Sequence, residues 1–204
     1  MIARGGLWLV IAPAVAVAAF LAVAVILSSY VAFLLTIPFG IIFLGFAVFF
    51  RDPPRIIGRG IVSPADGKVV DANPDTRHVA IYMSVLSVHV NRAPWACVVR
   101  SQQRHLGGHV PASSPAASKN VSLEWQLDSA IGEIALVQIT GLFARRIVPY
   151  LGEGARIKKG QKIGMIRFGS RVEIVLPPTV RLVVKAGDRV RAGETTIAEV
   201  AHAR

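Results

Sequence analysis

The apolar residues of this chain are concentrated at its start. From Leu7 to Leu27 no residue is charged, and the run is largely Ala, Val, Leu and Ile, broken by Pro13. A second uncharged run goes from Ser28 to Phe50, with Pro38 and two glycines inside it. A spanning helix needs roughly 20 apolar residues. The 44 uncharged residues from 7 to 50, interrupted at Ser28-Ser29-Tyr30, therefore predict two helices in a tight hairpin, with a re-entrant hairpin as the alternative. A removable leader accounts for the first run but not for a second that follows it directly. Pro38 and Gly40 predict a kink in the second helix, and Pro53-Pro54 ends it.

Beyond residue 55 the pattern changes to short alternating runs punctuated by Gly, Pro and Asp, which reads as strands. Ile61 to Val70 reads as strand, turn, strand about Asp66-Gly67, and Asp-Gly between apolar runs is a hairpin signal. Val79 to Met83 is a strand, and a turn and an extended piece follow to Val90. Alternation places Ser87, His89 and Asn91 on one face, opposite Val88 and Val90; that polar face is either solvated or lines a site. Ser101 to Ser122 is rich in Gly, Pro, Ser and Ala and reads as a long loop. Leu123 to Leu127 and Ile134 to Thr140 are strands.

Late in the chain, Gly154-Ala-Arg-Ile-Lys-Lys-Gly160 is matched 33 residues on by Gly187-Asp-Arg-Val-Arg-Ala-Gly193. Each copy is two turns around a short apolar stretch, as in a compact β-barrel or flattened sandwich. The copies resemble the half-motifs of lipoyl and biotinyl carrier domains. Neither has the Met-Lys tip that carries the cofactor in those domains, so the repeat reads as scaffold. The fold class expected is mainly β: a barrel or sandwich with lipoyl-like half-motifs over 56–204, preceded by a hydrophobic two-helix membrane anchor over 1–55.

Charge narrows the partners. The formal net charge is +11, which beside an apolar N-terminus points to an anionic membrane surface or a phosphate-bearing ligand. The basic residues are scattered without a long block or interleaved aromatics, so nucleic acid is not expected. Arg4 before the apolar runs and Arg51, Arg55 and Arg59 after them place both ends in the cytoplasm by the positive-inside rule, with the arginines at lipid head-group level. Cys97 is the only cysteine, which excludes an intramolecular disulfide and fits a reducing compartment. His105 and His109 are separated by Gly107-Gly108, and no metal is expected.

The candidate chemistry lies in five segments: Phe49-Phe50-Arg51-Asp52-Pro53, Ser63-Pro64-Ala65-Asp66-Gly67, Ser87-Val88-His89-Val90-Asn91-Arg92-Ala93-Pro94, Ala144-Arg145-Arg146-Ile147-Val148 and Gly164-Met165-Ile166-Arg167-Phe168-Gly169-Ser170-Arg171. Read locally, Gly169-Ser170 is a turn, Asp66 a hairpin residue, and Arg145-Arg146 either a solvated turn or an anion site. In this order and spacing the segments resemble phosphatidylserine decarboxylase proenzymes of the short membrane-bound class, from about Phe49 to Glu199. Two departures stand out: His105-Leu106-Gly107-Gly108 occupies the central loop, and Arg92 stands where the longer bacterial class often has a second His.

The resemblance implies a self-processing, pyruvoyl-dependent enzyme. Ser170 Oγ attacks the Gly169 carbonyl, the amide becomes an ester, and elimination and hydrolysis leave a pyruvoyl group on residue 170 with loss of ammonia. The products are a β chain, 1–169, and an α chain, 170–204, which remain together as a heterodimer. His89 is the implied base, with Asp66 orienting it. The substrate amine condenses with the ketone as a Schiff base, and phosphatidylserine yields phosphatidylethanolamine and CO2 at the cytoplasmic face of the cell membrane. Arg145, Arg146 and Arg171 are the implied holders of the substrate carboxylate or phosphodiester. The rival readings are a non-enzymatic membrane-anchored lipoyl-like adaptor and a pyruvoyl decarboxylase of another amino-acid head group.

Overall fold

A computed structural model covers the 204-residue chain and describes residues 1–142, 146–167 and 169–201. Two units partition it, Met1–Pro53 and Pro54–Arg204.

The first unit is a helical hairpin. Helices α1 (Leu7–Ile26) and α2 (Tyr30–Phe49) have 20 residues each, about 30 Å at the α-helical rise, the thickness of a bilayer core. Ser28 turns the chain between them at φ +46°. The Ser29 hydroxyl then caps α2, accepting from the Ala32 N–H at 3.3 Å. Pro13 and Pro38 both lie within continuous helices. Phe20 stacks on Phe39 with centroids 5.3 Å apart. At the open end the Ala3 N–H donates to the Phe50 carbonyl and the Asp52 N–H to that of Met1, each at 2.8 Å. Only Val10 and Pro13 of α1, and Ala32, Thr36 and Phe49 of α2, are buried. The remaining apolar surface faces outward all round, so both helices are long and apolar enough to cross a membrane.

The second unit is β throughout. Its strands among the described residues are β1 (Ile61–Val62), β2 (Gly67–Asn73), β3 (His78–Met83), β4 (Val90–Arg92), β5 (Cys97–His105), β6 (Ser122–Ser129), β7 (Gly132–Thr140), β8 (Ile147–Pro149), β9 (Arg156–Ile157), β10 (Lys162–Ile166), β11 (Ser170–Val175), β12 (Val180–Leu182), β13 (Arg189–Val190) and β14 (Thr196–Val200). Eight of them form one antiparallel sheet in the order β13-β2-β3-β11-β7-β6-β5-β9, and two three-stranded sheets run β1-β14-β12 and β4-β10-β8. One face of the large sheet contributes Val79, Ile81, Trp125, Leu127, Ile134, Leu136, Val172 and Ile174 to the core, and the small sheets add Ile61, Ile163, Ile166 and Ile197. Full burial of each such side chain contributes about 1.5–3 kcal/mol.

The glycine repeat in the sequence is a repeat in space. Its copies supply β9 and β13, the two edges of the large sheet, with β11 in the interior between them. The Gly154 N–H donates to the Val99 carbonyl and the Gly187 N–H to that of Val69, each at 2.8 Å; Gly160 and Gly193 donate to Ala93 and Ser63 in the same way. All four glycines have positive φ, between 75° and 101°, which is why the motif keeps glycine at these turns.

Three local expectations are corrected. Asp66-Gly67 is not a hairpin turn: β1 pairs with β14 while β2 pairs with β3 and β13, so the segment crosses between sheets. The Ser63 hydroxyl, donating to the Ala65 carbonyl at 2.7 Å, turns the chain there instead. The long loop begins only at Leu106, because β5 continues to His105 as a polar partner of β6. Val88, His89, Val90 and Asn91 are all buried, so the alternation about His89 does not separate a wet face from a dry one.

Candidate active site

Ser170 is the first residue of β11 and is fully buried. Antiparallel register sets it opposite Met83, the last residue of β3, and opposite Thr140, the last residue of β7. Three adjacent strands thus end in one row, and the scissile pair proposed from the sequence lies at that end of the sheet. Gly169 precedes it at φ +60°, a left-handed conformation that suits glycine. Gly141, just past β7, faces the Gly169 carbonyl so closely that an added Cβ would lie 2.5 Å from its oxygen. Glycine at 141 therefore keeps a side chain off the Gly169 carbonyl, which stands beside the buried Ser170 hydroxyl.

The Ser170 hydroxyl donates to the Met83 sulfur at 3.3 Å. The Asn91 amide reaches the same sulfur at 3.7 Å. Behind Asn91 runs a buried relay: the Gln138 amide donates to Asn91 Oδ1 at 2.7 Å, and the Trp125 indole N–H to Gln138 Oε1 at 2.9 Å. A thioether is a weak acceptor and not a base, so Met83 orients the hydroxyl without removing its proton. Gln138 and Met83 escaped the sequence reading because each lies in an apolar strand, and only cross-strand register aims them at Ser170.

His89 reaches this corner through the small sheet. Its carbonyl accepts from the Ile166 N–H at 3.3 Å, and β4 pairs with β10, which leads directly to Ser170. Its Nδ1 lies 2.8 Å from the Ser87 carbonyl. A carbonyl only accepts, so Nδ1 carries the proton, and in the neutral tautomer this leaves the lone pair on Nε2.

Asp66 comes to the same sheet end, just before β2. Its Oδ2 pairs with the Arg55 guanidinium at 2.7 Å, and its Oδ1 accepts from the Ala192 N–H at 2.7 Å. Arg55 also meets Glu194 at 3.3 Å and its side chain is only 6% exposed. This buried pairing replaces the head-group position expected for Arg55. The Ser87 carbonyl fixes the imidazole proton on Nδ1.

The arginines divide. Arg145 lies outside the described residues, with Phe143, Ala144 and Phe168 of the motifs. Arg146 is exposed at the start of β8, and its carbonyl accepts from the Arg167 N–H at 3.1 Å. Burial first, and then the Arg146 charge, lower the Arg167 pKa from its ordinary value. Arg167 was not singled out from the sequence, although it stands two residues before Gly169. Arg171 lies on the other face of the sheet: along β11, Ser170, Val172 and Ile174 are buried while Arg171 and Glu173 alternate with them. Arg171 Nε contacts Glu173 Oε1 at 2.9 Å, without the alignment of a hydrogen bond. Strict alternation in Ser-Arg-Val-Glu-Ile carried that signal. A cleft of about 380 Å³ opens on this second face, lined by Lys119, Glu124, Ile139 and Glu173, and Ser170, His89 and Asp66 are not among its lining residues.

Comparison with known proteins agrees with the motifs. The family model described as phosphatidylserine decarboxylase matches residues 42–198. A phosphatidylserine decarboxylase proenzyme of Thermobifida fusca is 45% identical over 167 residues, covering 80% of this chain and 77% of that one. One from Streptomyces griseus is 49% identical over 157 residues, covering 75% and 73%. A putative archaetidylserine decarboxylase proenzyme of Archaeoglobus fulgidus is 44% identical over 174 residues, covering 83% and 88%. On a match this long and this similar, the chain belongs to the phosphatidylserine decarboxylase family.

Proposed function

We propose that this protein decarboxylates phosphatidylserine to phosphatidylethanolamine and CO2, using a pyruvoyl group that it makes from Ser170 by cutting its own chain between Gly169 and Ser170. The observation that carries the reading is the placement of Ser170: a fully buried hydroxyl at the head of an interior strand, directly after a left-handed glycine. A surface turn has no need of that burial.

His89 Nε2 takes the Ser170 hydroxyl proton as Oγ bonds to the Gly169 carbonyl carbon. The C–N bond then breaks, the amine of residue 170 gains a proton, and an ester remains. Removal of the residue 170 Cα proton expels the Gly169 carboxylate, and water replaces the resulting enamine nitrogen, releasing ammonia. The ketone left on residue 170 supplies an electron sink for an amine substrate. Met83 and the Asn91–Gln138–Trp125 relay hold residue 170 in place. Asp66 acts as a positioning residue, fixing the approach to β2 through Arg55 and the Ala192 N–H. Arg146 and Arg167 hold the substrate carboxylate or phosphodiester, for which paired guanidinium groups suit. Arg145 keeps the assignment drawn from its motif; Arg171 loses it to Glu173. The helical hairpin anchors the enzyme in the cell membrane, with the β unit on the cytoplasmic side. The α and β chains form one heterodimer. The relatives named above are proenzymes of serine-lipid decarboxylases, which supports the substrate class.

Intact mass under denaturing conditions tests the reading. An active preparation should contain a 35-residue fragment, 170–204, of about 3.7 kDa by its share of the 21.8 kDa chain, blocked at its N-terminus. Ser170→Ala should remain a single chain and be inactive, and His89→Gln should cleave at least 100-fold more slowly. A single uncleaved chain in an active preparation overturns the proposal.

A further inference from the structure

The end of the large sheet that holds Gly169-Ser170 differs in character from the other end. Four segments leave the sheet there: 84–89 after β3, 106–121 between β5 and β6, 141–142 after β7 with Arg146 leading into β8, and Arg167 and Gly169 before β11. Register fixes their neighbourhood, since Met83, Ser170 and Thr140 share a row and His105, Ser122 and Ile139 share the next. Asn120 ties the Leu106–Val121 segment over this end, its amide donating to the Val110 and Thr140 carbonyls at 2.8 and 2.7 Å.

These segments expose large apolar side chains. Leu106 is 90% exposed, Leu86 70%, Val85 55% and Leu142 48%. The hydrophobic effect gives no reason to present four such residues to water around one site. The same segments contain no Asp or Glu in the sequence, whereas Lys119, Arg146 and Arg167 lie within them. The acids nearest this end are each engaged with a basic side chain: Asp66 with Arg55, Glu124 with His105 at 3.3 Å, and Glu173 with His78 and Arg171. At the opposite end the β2–β3 turn carries Asp75, and Asp128 and Glu133 flank the β6–β7 turn.

From this polarity we infer that the active end of the sheet is a lipid-inserting rim: Val85, Leu86, Leu106 and Leu142 enter the acyl boundary of an anionic bilayer while Lys119, Arg146 and Arg167 meet its phosphates. Apolar tips backed by cations match the layered chemistry of an interface, whereas a second copy of this chain would bring a further net +11 toward the same basic surface. The rim is built wholly from residues of the β unit. It rests on the lipid-substrate reading for its purpose: a head group held in the bilayer reaches a buried Ser170 only if the sheet end descends to it.

Depth-dependent quenching tests this in the full-length chain. Leu86→Cys, Leu142→Cys and, as control, Asp75→Cys are labelled with an environment-sensitive fluorophore. The native Cys97 is buried and its thiol is pushed up to about 11 by that burial, so it reacts slowly at neutral pH. Each protein is reconstituted in phosphatidylcholine–phosphatidylglycerol vesicles whose acyl tails carry a quencher. Probes at 86 and 142 should be blue-shifted and quenched at least threefold more than the probe at 75. Equal quenching at all three positions overturns the inference. So does a blue shift at 86 and 142 that ignores tail quencher and grows with protein density, which means burial against a second copy. The readout needs neither scission nor turnover, so a failed decarboxylation assay with inserted probes counts against the proposed function alone.

Discussion

At the scale of single residues, the site depends on what glycine leaves empty. Gly169 owes its place to a positive φ, and Gly141 to the carbonyl it faces. Gly141→Ala puts a methyl group 2.5 Å from the Gly169 oxygen, so either the scissile carbonyl or the Thr140 end of β7 must shift. Overpacking of this kind costs about 1–3 kcal/mol. The strain falls on the carbonyl that Ser170 attacks, so cleavage should slow by ten- to a hundredfold. A time course of fragment appearance on denaturing gels measures this, with melting temperature as the control: a variant that cleaves at the normal rate would show that Gly141 is only a turn residue. The motifs made Gly169, Ser170 and His89 legible in the sequence. Met83 and Gln138 were not, because their relevance lies in register and not in spacing.

At the scale of elements, β11 decides what happens after scission. It is paired along its whole length with β3 on one side and β7 on the other, and β12 and β14 follow it into a second sheet with β1. Cutting before residue 170 breaks one covalent bond and leaves these ladders intact. The 170–204 fragment should therefore co-elute with 1–169 in native size exclusion and separate only in denaturant, and its loss under native conditions would contradict this placement. The outward face of the same strand carries a charge ladder. His78 Nδ1 lies 2.9 Å from Asp71 and its Nε2 3.1 Å from Glu173, which also meets Arg171. The Glu173 hydrogen bond, opposed by burial and aided by Asp71, raises the His78 pKa above 6.5; the His78 hydrogen bond, with Arg171, lowers that of Glu173 below 4.5. The His78 contribution is complete below 6.5 and disappears as pH rises through its higher folded value. That of Glu173 is complete above 4.5 and disappears as pH falls through its lower folded value. Between those limits both operate, so His78→Gln should lower the melting temperature more at pH 5.5 than at pH 8.5. Equal losses at both pH values would remove the ladder from the stability account.

At the scale of the whole molecule, the sequence announced its two parts because they obey different solvents. The uncharged runs of 7–50 need no tertiary partner to be read, and they became the two apolar helices. The β unit was legible as a class, through short alternating runs and the glycine repeat, but its pairing was not. Asp66-Gly67 has the local chemistry of a hairpin and is instead a crossing between sheets, because β2 finds a better partner in β3. The polar half of β5, from Ser101 to His105, looked like loop for a related reason: in an antiparallel sheet one wet face is enough to hide a strand from a hydrophobicity reading. Every group assigned above to scission, from Asp66 to Ser170, belongs to the second unit, and none belongs to the hairpin. Scission is therefore an intramolecular event of the β unit, whereas turnover also needs access to a lipid. A chain lacking residues 1–53 should still cut itself at 169/170 at close to the normal rate. Its decarboxylation of phosphatidylserine in vesicles should fall at least tenfold, with much of that loss recovered when the lipid is presented in mixed detergent micelles. Intact mass and CO2 release on the same preparation measure the two steps separately. If scission failed in a truncated chain that retained its β-sheet circular dichroism, the hairpin would be part of the processing machinery and not solely an anchor.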